Sequence, residues 1–337
     1  MKKQSLLPVG FYDLLFDEAE KNHNNINNAL DVFLKAGYRL IKTPLVEFES
    51  SFLQQKSQNY FQTIDVISGE SVVFRNDITP QISRLLGSRL QEEKLPLKLC
   101  YVGDVLCSKS EDLYKDRQQT QVGVEIIGCD AEKSNFEIIK ILLKVLKKIM
   151  NKSQEKNLLI EFSLPNFLEI FLSEIEVENK EELRKAIVQK NISAVKKLAG
   201  KNGEIISKIM LSNNLCSHLD LLNVVKKMDS HLRGNDKGRS WNDKGGGRND
   251  GGCVVSEIKK AQKISDFLAK NFSEIKVCFD LFGDNEFSYH DGFAFNVFCG
   301  GFSYPIARGG RYKILSKNKE LDAIGATIYM NRLRKVG

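Results

Sequence analysis

Gln121-Val122-Gly123-Val124-Glu125-Ile126-Ile127-Gly128 is the stretch that decides how this chain folds. Val122, Val124 and Ile126 alternate with Gln121, Gly123 and Glu125, the period of two that sends successive side chains to opposite faces of a strand. Gln121 and Glu125 therefore share a face, while the branched aliphatic residues line the other. An amide and a carboxylate placed this way form either the floor of a polar ligand site or a solvated face, and the strand alone does not choose. Upstream, Leu99-Cys100-Tyr101-Val102-Gly103-Asp104-Val105-Leu106 reads as a second strand, and a polar run from Cys107 to Asp116 joins the two. The spacing predicts an extended hairpin.

Working outward, residues 17–36 have the periodicity of an amphipathic helix, with Ala29, Leu30, Phe33 and Leu34 on one face and Gly37 as its stop. Strands are expected at Leu40–Thr43, ended by Pro44, and at Val72–Arg75 and Leu158–Phe162, with helices over 79–90 and 132–150. From 166 to 272 helix follows helix. Strand signal then returns at Lys276–Leu281, Gly292–Cys299, Phe302–Ala307 and Asp322–Ile328. This order lacks the regular alternation of a doubly wound fold and predicts an α+β protein. Residues 1–165 and 273–337 are read as one sheet domain, interrupted by a helical insertion over 166–272. Within the insertion, His231–Gly252 holds seven of the chain's 24 glycines, its only Trp, and Asn-Asp pairs at 235–236, 242–243 and 249–250. Such a segment buries too little apolar surface to offset its ordering entropy, so a mobile surface loop is expected. An inert in-frame insertion is preferred there over an RNA-binding Gly/Arg segment.

Bulk properties exclude several classes. With 337 residues and 42% hydrophobic content the chain can build a substantial core. The net charge of +7 is carried largely by lysine pairs on helix surfaces, such as Lys147–Lys148 and Lys196–Lys197, and does not call for nucleic acid. The seven cysteines include no C-x-x-C pair and the four histidines are scattered, so neither a disulfide framework nor a metal site is expected. No apolar run has the length of a membrane span and the first ten residues are not a secretory signal, so the expected compartment is the cytoplasm.

Three further segments carry polar groups at strand ends. Phe74-Arg75-Asn76-Asp77-Ile78-Thr79-Pro80 leads from a strand into a helix. Asp77 and Thr79 are read first as caps of that helix and second as ligand groups. Phe287-Ser288-Tyr289-His290-Asp291-Gly292-Phe293-Ala294-Phe295 and Ala307-Arg308-Gly309-Gly310-Arg311-Tyr312 follow near the C-terminus, the paired glycines permitting close backbone approach. Two more stretches frame them, Leu7-Pro8-Val9-Gly10-Phe11-Tyr12-Asp13 with Pro44 at the start and Ala323-Ile324-Gly325-Ala326-Thr327-Ile328-Tyr329-Met330-Asn331-Arg332-Leu333 at the close. Together these motifs occur in the order found in the class II histidyl-tRNA synthetases. The chain resembles that family, and within it the non-catalytic regulatory subunits of ATP phosphoribosyltransferase, over nearly its whole length outside 231–252.

The resemblance implies a class II synthetase-like fold, a mixed and mainly antiparallel sheet flanked by helices. It implies that Asp77, Thr79 and Gln121 match the residues that hold a histidine ammonium group. Glu125 matches the imidazole acceptor, and His290, beside Tyr289, stands where the family has a tyrosine. On the nucleotide side the family's phosphate-gripping arginine is replaced by Cys107, and a second arginine by Asn285. Tyr329 stands where a glycine gives adenine room, while Arg332 is kept. A thiol lacks the fork of donors that a phosphate needs, so no catalytic residue and no cofactor is expected. With five residues after Arg332, specific tRNA recognition is not expected either. The implied role is regulatory: self-association through the sheet domain, a short-form ATP phosphoribosyltransferase catalytic subunit as partner, and free histidine as candidate effector. Two alternatives remain, a degenerate synthetase paralogue with amino-acid activation and an orphaned histidine-binding module.

Overall fold

A computed structural model of the chain describes residues 6–51, 59–110, 115–165, 167–175, 177–211, 254–282, 290–316 and 319–336. The segment 231–252, Asn285 and Tyr289 lie outside the described residues. Two compact units emerge, one of Met1–Leu158 with Asn296–Gly337 and one of Leu159–Phe295. The sequence pattern places these boundaries at 165/166 and 272/273.

In the first unit, helix α1 (Phe16–Lys35) ends where Gly37 takes a positive φ of 85°, the left-handed conformation that closes a helix at little cost to glycine. Strand β1 (Arg39–Ile41) then runs parallel to β5 (Leu97–Leu106), and β5 pairs antiparallel with β6 (Gln118–Ile127) as the expected hairpin. β6 pairs in turn with β11 (Lys319–Tyr329), and β11 with β10 (Ala307–Ser316), giving the order β1-β5-β6-β11-β10. Helix α3 (Ala131–Ile149) packs with α1 and against β6 and β11, burying Ile138, Leu142 and Leu146 with Phe33 and Val32. Asp130 caps α3, accepting a hydrogen bond from the Lys133 N–H at 3.0 Å.

Strands β2 (Val46–Phe48), β3 (Gln62–Ile64) and β4 (Ser71–Phe74) form a separate three-stranded sheet with β4 in the centre. From β4 the chain passes directly into helix α2 (Thr79–Leu86). The terminal segments are tied to the run that connects the hairpin strands: Tyr12 and Lys335 both donate to the buried Asp116 carboxylate at 2.7 Å.

In the second unit β7 (Leu158–Ser163) and β8 (Lys276–Asp280) pair in parallel. Phe162 of β7 packs against Phe279 and Phe293, ring centroids 5.5 and 5.4 Å apart. Helices Phe167–Glu174, Lys180–Val188, Ile192–Leu198 and Gly203–Leu211 close over a core of Phe167, Phe171, Leu183, Ile187, Val195 and Phe282. Strand β9 (His290–Cys299) carries the chain back to the first unit.

One strand departs from expectation. The sequence predicts extended chain over Phe302–Ala307, yet β10 starts only at Ala307 and continues to Ser316. Pro305 has no N–H for a ladder, and Gly301, at φ 84°, turns the chain before it. The paired glycines lie inside β10, Gly309 opposite Ala326 and Gly310 opposite Gly325. Among the described residues, no helix is long and apolar enough to cross a membrane and no group of three or more His, Cys, Asp or Glu could hold a metal ion.

Candidate ligand pocket

The strand register turns an alternation into a surface. Across β5, β6, β11 and β10, opposed residues share a face. One row is Leu99, Glu125, Gly325 and Gly310; the next is Tyr101, Gly123, Thr327 and Arg308; a third is Gly103, Gln121 and Tyr329. Gln121 and Glu125 thus lie in a face assembled from four strands, together with Tyr312 one row beyond. A Cβ at position 325 would overlap the Glu125 carboxylate, so glycine there leaves that side chain its place.

The first turn of α2 closes over this face. Ile78 N–H donates to Gln121 Oε1 at 3.2 Å, and the Thr79 hydroxyl donates to Glu125 Oε1 at 2.9 Å. Tyr312 donates to Glu125 Oε2 at 2.7 Å, and the Tyr101 and Thr327 hydroxyls bond to each other at 2.7 Å. Asp77 Oδ1 accepts from Ile78 N–H at 2.9 Å. Four of the sequence-derived candidates, Asp77, Thr79, Gln121 and Glu125, are accordingly brought together and buried, Glu125 completely at 0% exposure. The preferred capping interpretation of Asp77 and Thr79 is corrected: the N-cap of α2 is Ile78, with no side-chain cap hydrogen bond. The Thr79 hydroxyl goes to Glu125 instead, because a buried carboxylate needs donors more than a helix end that other groups can serve.

Burial disfavours a charged carboxylate. It pushes the Glu125 pKa up to about 8, against the hydroxyls of Tyr312 and Thr79, which pull it down, while the Asp77 carboxylate adds to the rise. The Tyr101 hydroxyl is held well above its usual value, first by burial and then by the Glu125 and Asp77 carboxylates. The cluster is a carboxyl group in an enclosed ring of hydroxyls, able to accept from a nitrogen-bearing ligand that displaces one of them. The sequence pattern does not single out Tyr312, Tyr101 or Thr327. Their signal is strand parity, which becomes readable only once the partner strands are known.

The other end of the same face is built differently. Cys107 follows β5, its N–H donating to the Arg117 carbonyl at 2.7 Å and its carbonyl accepting from Arg117 Nε at 3.2 Å. The Arg117 guanidinium stacks on the rings of Phe61 at 4.7 Å and Phe11 at 5.3 Å. Arg332 is 2% exposed, donating to Gln119 Oε1 at 3.3 Å and the Pro305 carbonyl at 3.2 Å, with the Tyr329 ring at 4.4 Å. Arg75 is buried under α2 and spent largely on main-chain carbonyls. Of the remaining candidates, His290 opens β9 in the second unit, and its side chain, like Asn285 and Tyr289, is not among the described parts of the molecule.

Comparison with known proteins places the chain. The histidyl-tRNA synthetase family model matches residues 10–333, and the chain belongs to that family. An ATP phosphoribosyltransferase regulatory subunit of Stutzerimonas stutzeri is 27% identical over 317 residues, covering 91% of this chain and 74% of that protein. A protein of the same description from Caldanaerobacter subterraneus subsp. tengcongensis is 28% identical, covering 97% of this chain and 81% of its own. Among solved structures, an ATP phosphoribosyltransferase regulatory subunit/histidyl-tRNA synthetase from Bacillus halodurans superimposes with a TM-score of 0.75 at 20% identity, covering 100% of this chain and 84% of that one. The class II synthetase-like fold is therefore shared.

Proposed function

We propose that this chain is a non-catalytic regulatory subunit of ATP phosphoribosyltransferase, required for the first step of histidine biosynthesis and responsive to histidine. In this reading it is a cytoplasmic protein that self-associates through the core 1–165 and 273–337, with 166–272 as an insertion, and binds a short-form transferase subunit. The observation that carries the reading is the contrast within one sheet face. Asp77, Thr79, Gln121 and Glu125 remain grouped as an enclosed polar pocket, whereas Cys107 stands at the phosphate-gripping position with its backbone closed by Arg117. The relatives in Stutzerimonas stutzeri and Caldanaerobacter subterraneus bear that description, and a fold neighbour from Thermotoga maritima is an ATP phosphoribosyl transferase complex, with a TM-score of 0.63 at 17% identity.

In the pocket, Asp77, Thr79 and Gln121 receive the ammonium group of histidine and Glu125 its imidazole. An ammonium–carboxylate contact is charge-assisted and roughly twice as strong as a neutral hydrogen bond. The decisive experiment mixes the purified chain with a short-form transferase catalytic subunit and follows phosphoribosyl-ATP formation. Turnover should depend on the chain and fall on adding histidine. ATP–pyrophosphate exchange driven by histidine should be absent, and robust exchange would favour an amino-acid-activating paralogue, the reading that the retained Arg332 suggests.

A further inference from the structure

Strand β10 turns every second side chain toward the pocket face, and in this stretch those residues are Arg308, Gly310 and Tyr312. Tyr312 closes one end of the run, donating to Glu125 Oε2 at 2.7 Å. Gly310 has no side chain, and Gly325 opposite it leaves room for the Glu125 carboxylate. Arg308 stands at the other end, paired across the ladder with Thr327, whose hydroxyl meets that of Tyr101 at 2.7 Å. At a rise of ~3.3 Å per residue, Tyr312 and Arg308 lie roughly 13 Å apart along the strand, with only a glycine between them on this face. Glu125 has no exposure, whereas Arg308 is only partly buried, so the arginine stands nearer to solvent than the carboxyl group does.

An amino-acid ligand makes a demand on this pocket that its carboxyl groups do not meet. Asp77 and Glu125 are both buried there and can receive an ammonium group and an imidazole, but an amino acid also brings a carboxylate. An anion taken out of water beside other carboxyl groups is disfavoured by desolvation and by repulsion unless charged donors meet it. Across the four rows of the face, from Leu97, Ile127, Ala323 and Tyr312 to Gly103, Gln121 and Tyr329, Arg308 is the one cation among the described residues. Neighbouring arginines are engaged elsewhere. Arg75 lies under α2 on the Asp104 and Thr43 carbonyls, and Arg117 stacks on Phe11 and Phe61. Arg332 donates to Gln119 and to the Pro305 carbonyl. Arg311 has the opposite parity on β10 and meets Asn135 at 3.2 Å and Asp322 at 3.5 Å on the far side of the sheet. A guanidinium presents its donors as a planar fork that matches the two oxygens of a carboxylate.

We propose that Arg308 binds the α-carboxylate of the pocket's ligand, so that the pocket selects an amino-acid zwitterion over an amine with the same side chain. The assignment rests on the reading above, in which Asp77, Thr79 and Gln121 receive the ammonium group and Glu125 the imidazole. The ligand lies over Gly310, its imidazole toward Glu125 and its carboxylate toward the rim. Without the guanidinium that carboxylate faces the pocket's own carboxyl groups with no counter-charge, and the selection is lost.

Calorimetry on the purified full chain tests this with two probes, L-histidine and L-histidinol, the latter carrying a hydroxymethyl group in place of the carboxylate. The unmodified chain should bind histidine at least tenfold more tightly than histidinol. Arg308→Met should weaken histidine by roughly thirtyfold, the scale of losing one partner of a hydrogen-bonded charge pair. Histidinol should stay within twofold of its original affinity, so that the preference disappears. If Arg308→Met does not fold, Arg308→Gln removes the same charge and carries the same expectation. An equal loss for both probes would mean that Arg308 only supports the fold, and no change for either would mean that it does not touch the ligand. Both results overturn the assignment and leave the pocket reading standing. Failure of the unmodified chain to bind either probe overturns the pocket reading itself, and the assignment with it.

Discussion

Two ends of one sheet face start from the same strands and reach opposite outcomes. Around Glu125 the hydrogen-bond partners are hydroxyls, those of Thr79 and Tyr312, which rotate and can be exchanged for a ligand's donors. Around Arg332 and Arg117 the partners are main-chain carbonyls, aromatic rings and the Gln119 amide oxygen, and the carbonyls cannot be exchanged without moving backbone. The Glu125 carboxyl is satisfied by groups that can let go. Arg332, held by Pro305 and Gln119, and Arg117, held by Cys107 and two aromatic rings, are part of the framework.

The comparison breaks most readily at Arg332. Arg332→Ala should cost ~4–5 kcal/mol of unfolding free energy, because it leaves the Pro305 carbonyl and Gln119 amide without their donor and opens a void beside Tyr329. Denaturant unfolding measures it. A loss below about 1 kcal/mol would mean that the guanidinium is spare and still available to an anion.

Glu125 supplies the next effect, through pH. Its folded-state pKa of about 8 lies above the ordinary 4.5, so the folded chain holds a proton there that the unfolded chain releases. The stability this contributes is fully present below 4.5 and is lost as pH rises through 8. The unmodified chain should thus lose roughly 4 kcal/mol between those limits, whereas Glu125→Gln should show a flatter profile over the same range. Equal slopes for the two proteins would show that the carboxyl is not enclosed in solution. Thr79→Val is smaller again, about 1–2 kcal/mol for one buried hydrogen bond to the carboxyl. Its cost should shrink in the Glu125→Gln background, since both changes touch one contact.

How far the molecule can be read in advance follows from the range of each interaction. The β5–β6 hairpin and the shared face of Gln121 and Glu125 are legible because period two is a local property. The Thr79–Glu125 bond is not, since it joins residues 46 apart and competes with a local capping use that the sequence favours. Tyr312 is hidden for a related reason: Gly309-Gly310 reads as a place of close approach, and its role in a strand shows only once Ala326 and Gly325 of β11 lie opposite. The roles implied for Cys107 and Tyr329 come from resemblance alone. Nothing in residues 104–110 reveals that Arg117 would bond to the backbone of Cys107 rather than leave that space to an arginine at 107.

The smallest expected effect lies at Cys107, and it sharpens the comparison most. If the end of the face around position 107 lacked a phosphate grip only for want of one side chain, Cys107→Arg would supply it. The surroundings argue otherwise. Arg117 already spends its Nε on the carbonyl of residue 107 and its face on the rings of Phe11 and Phe61, so a guanidinium added at 107 would gain no help from it in holding an anion. Tyr329 would still be stacked on Arg332 and buried. Position 107 is only partly buried, so the substitution should change stability by less than about 1 kcal/mol. Calorimetry with ATP should detect no binding to Cys107→Arg, and binding should require Tyr329→Gly as well. ATP binding to the single variant would show that one side chain decides the matter, and the division of the sheet face into an exchangeable end and a framework end would have to be abandoned.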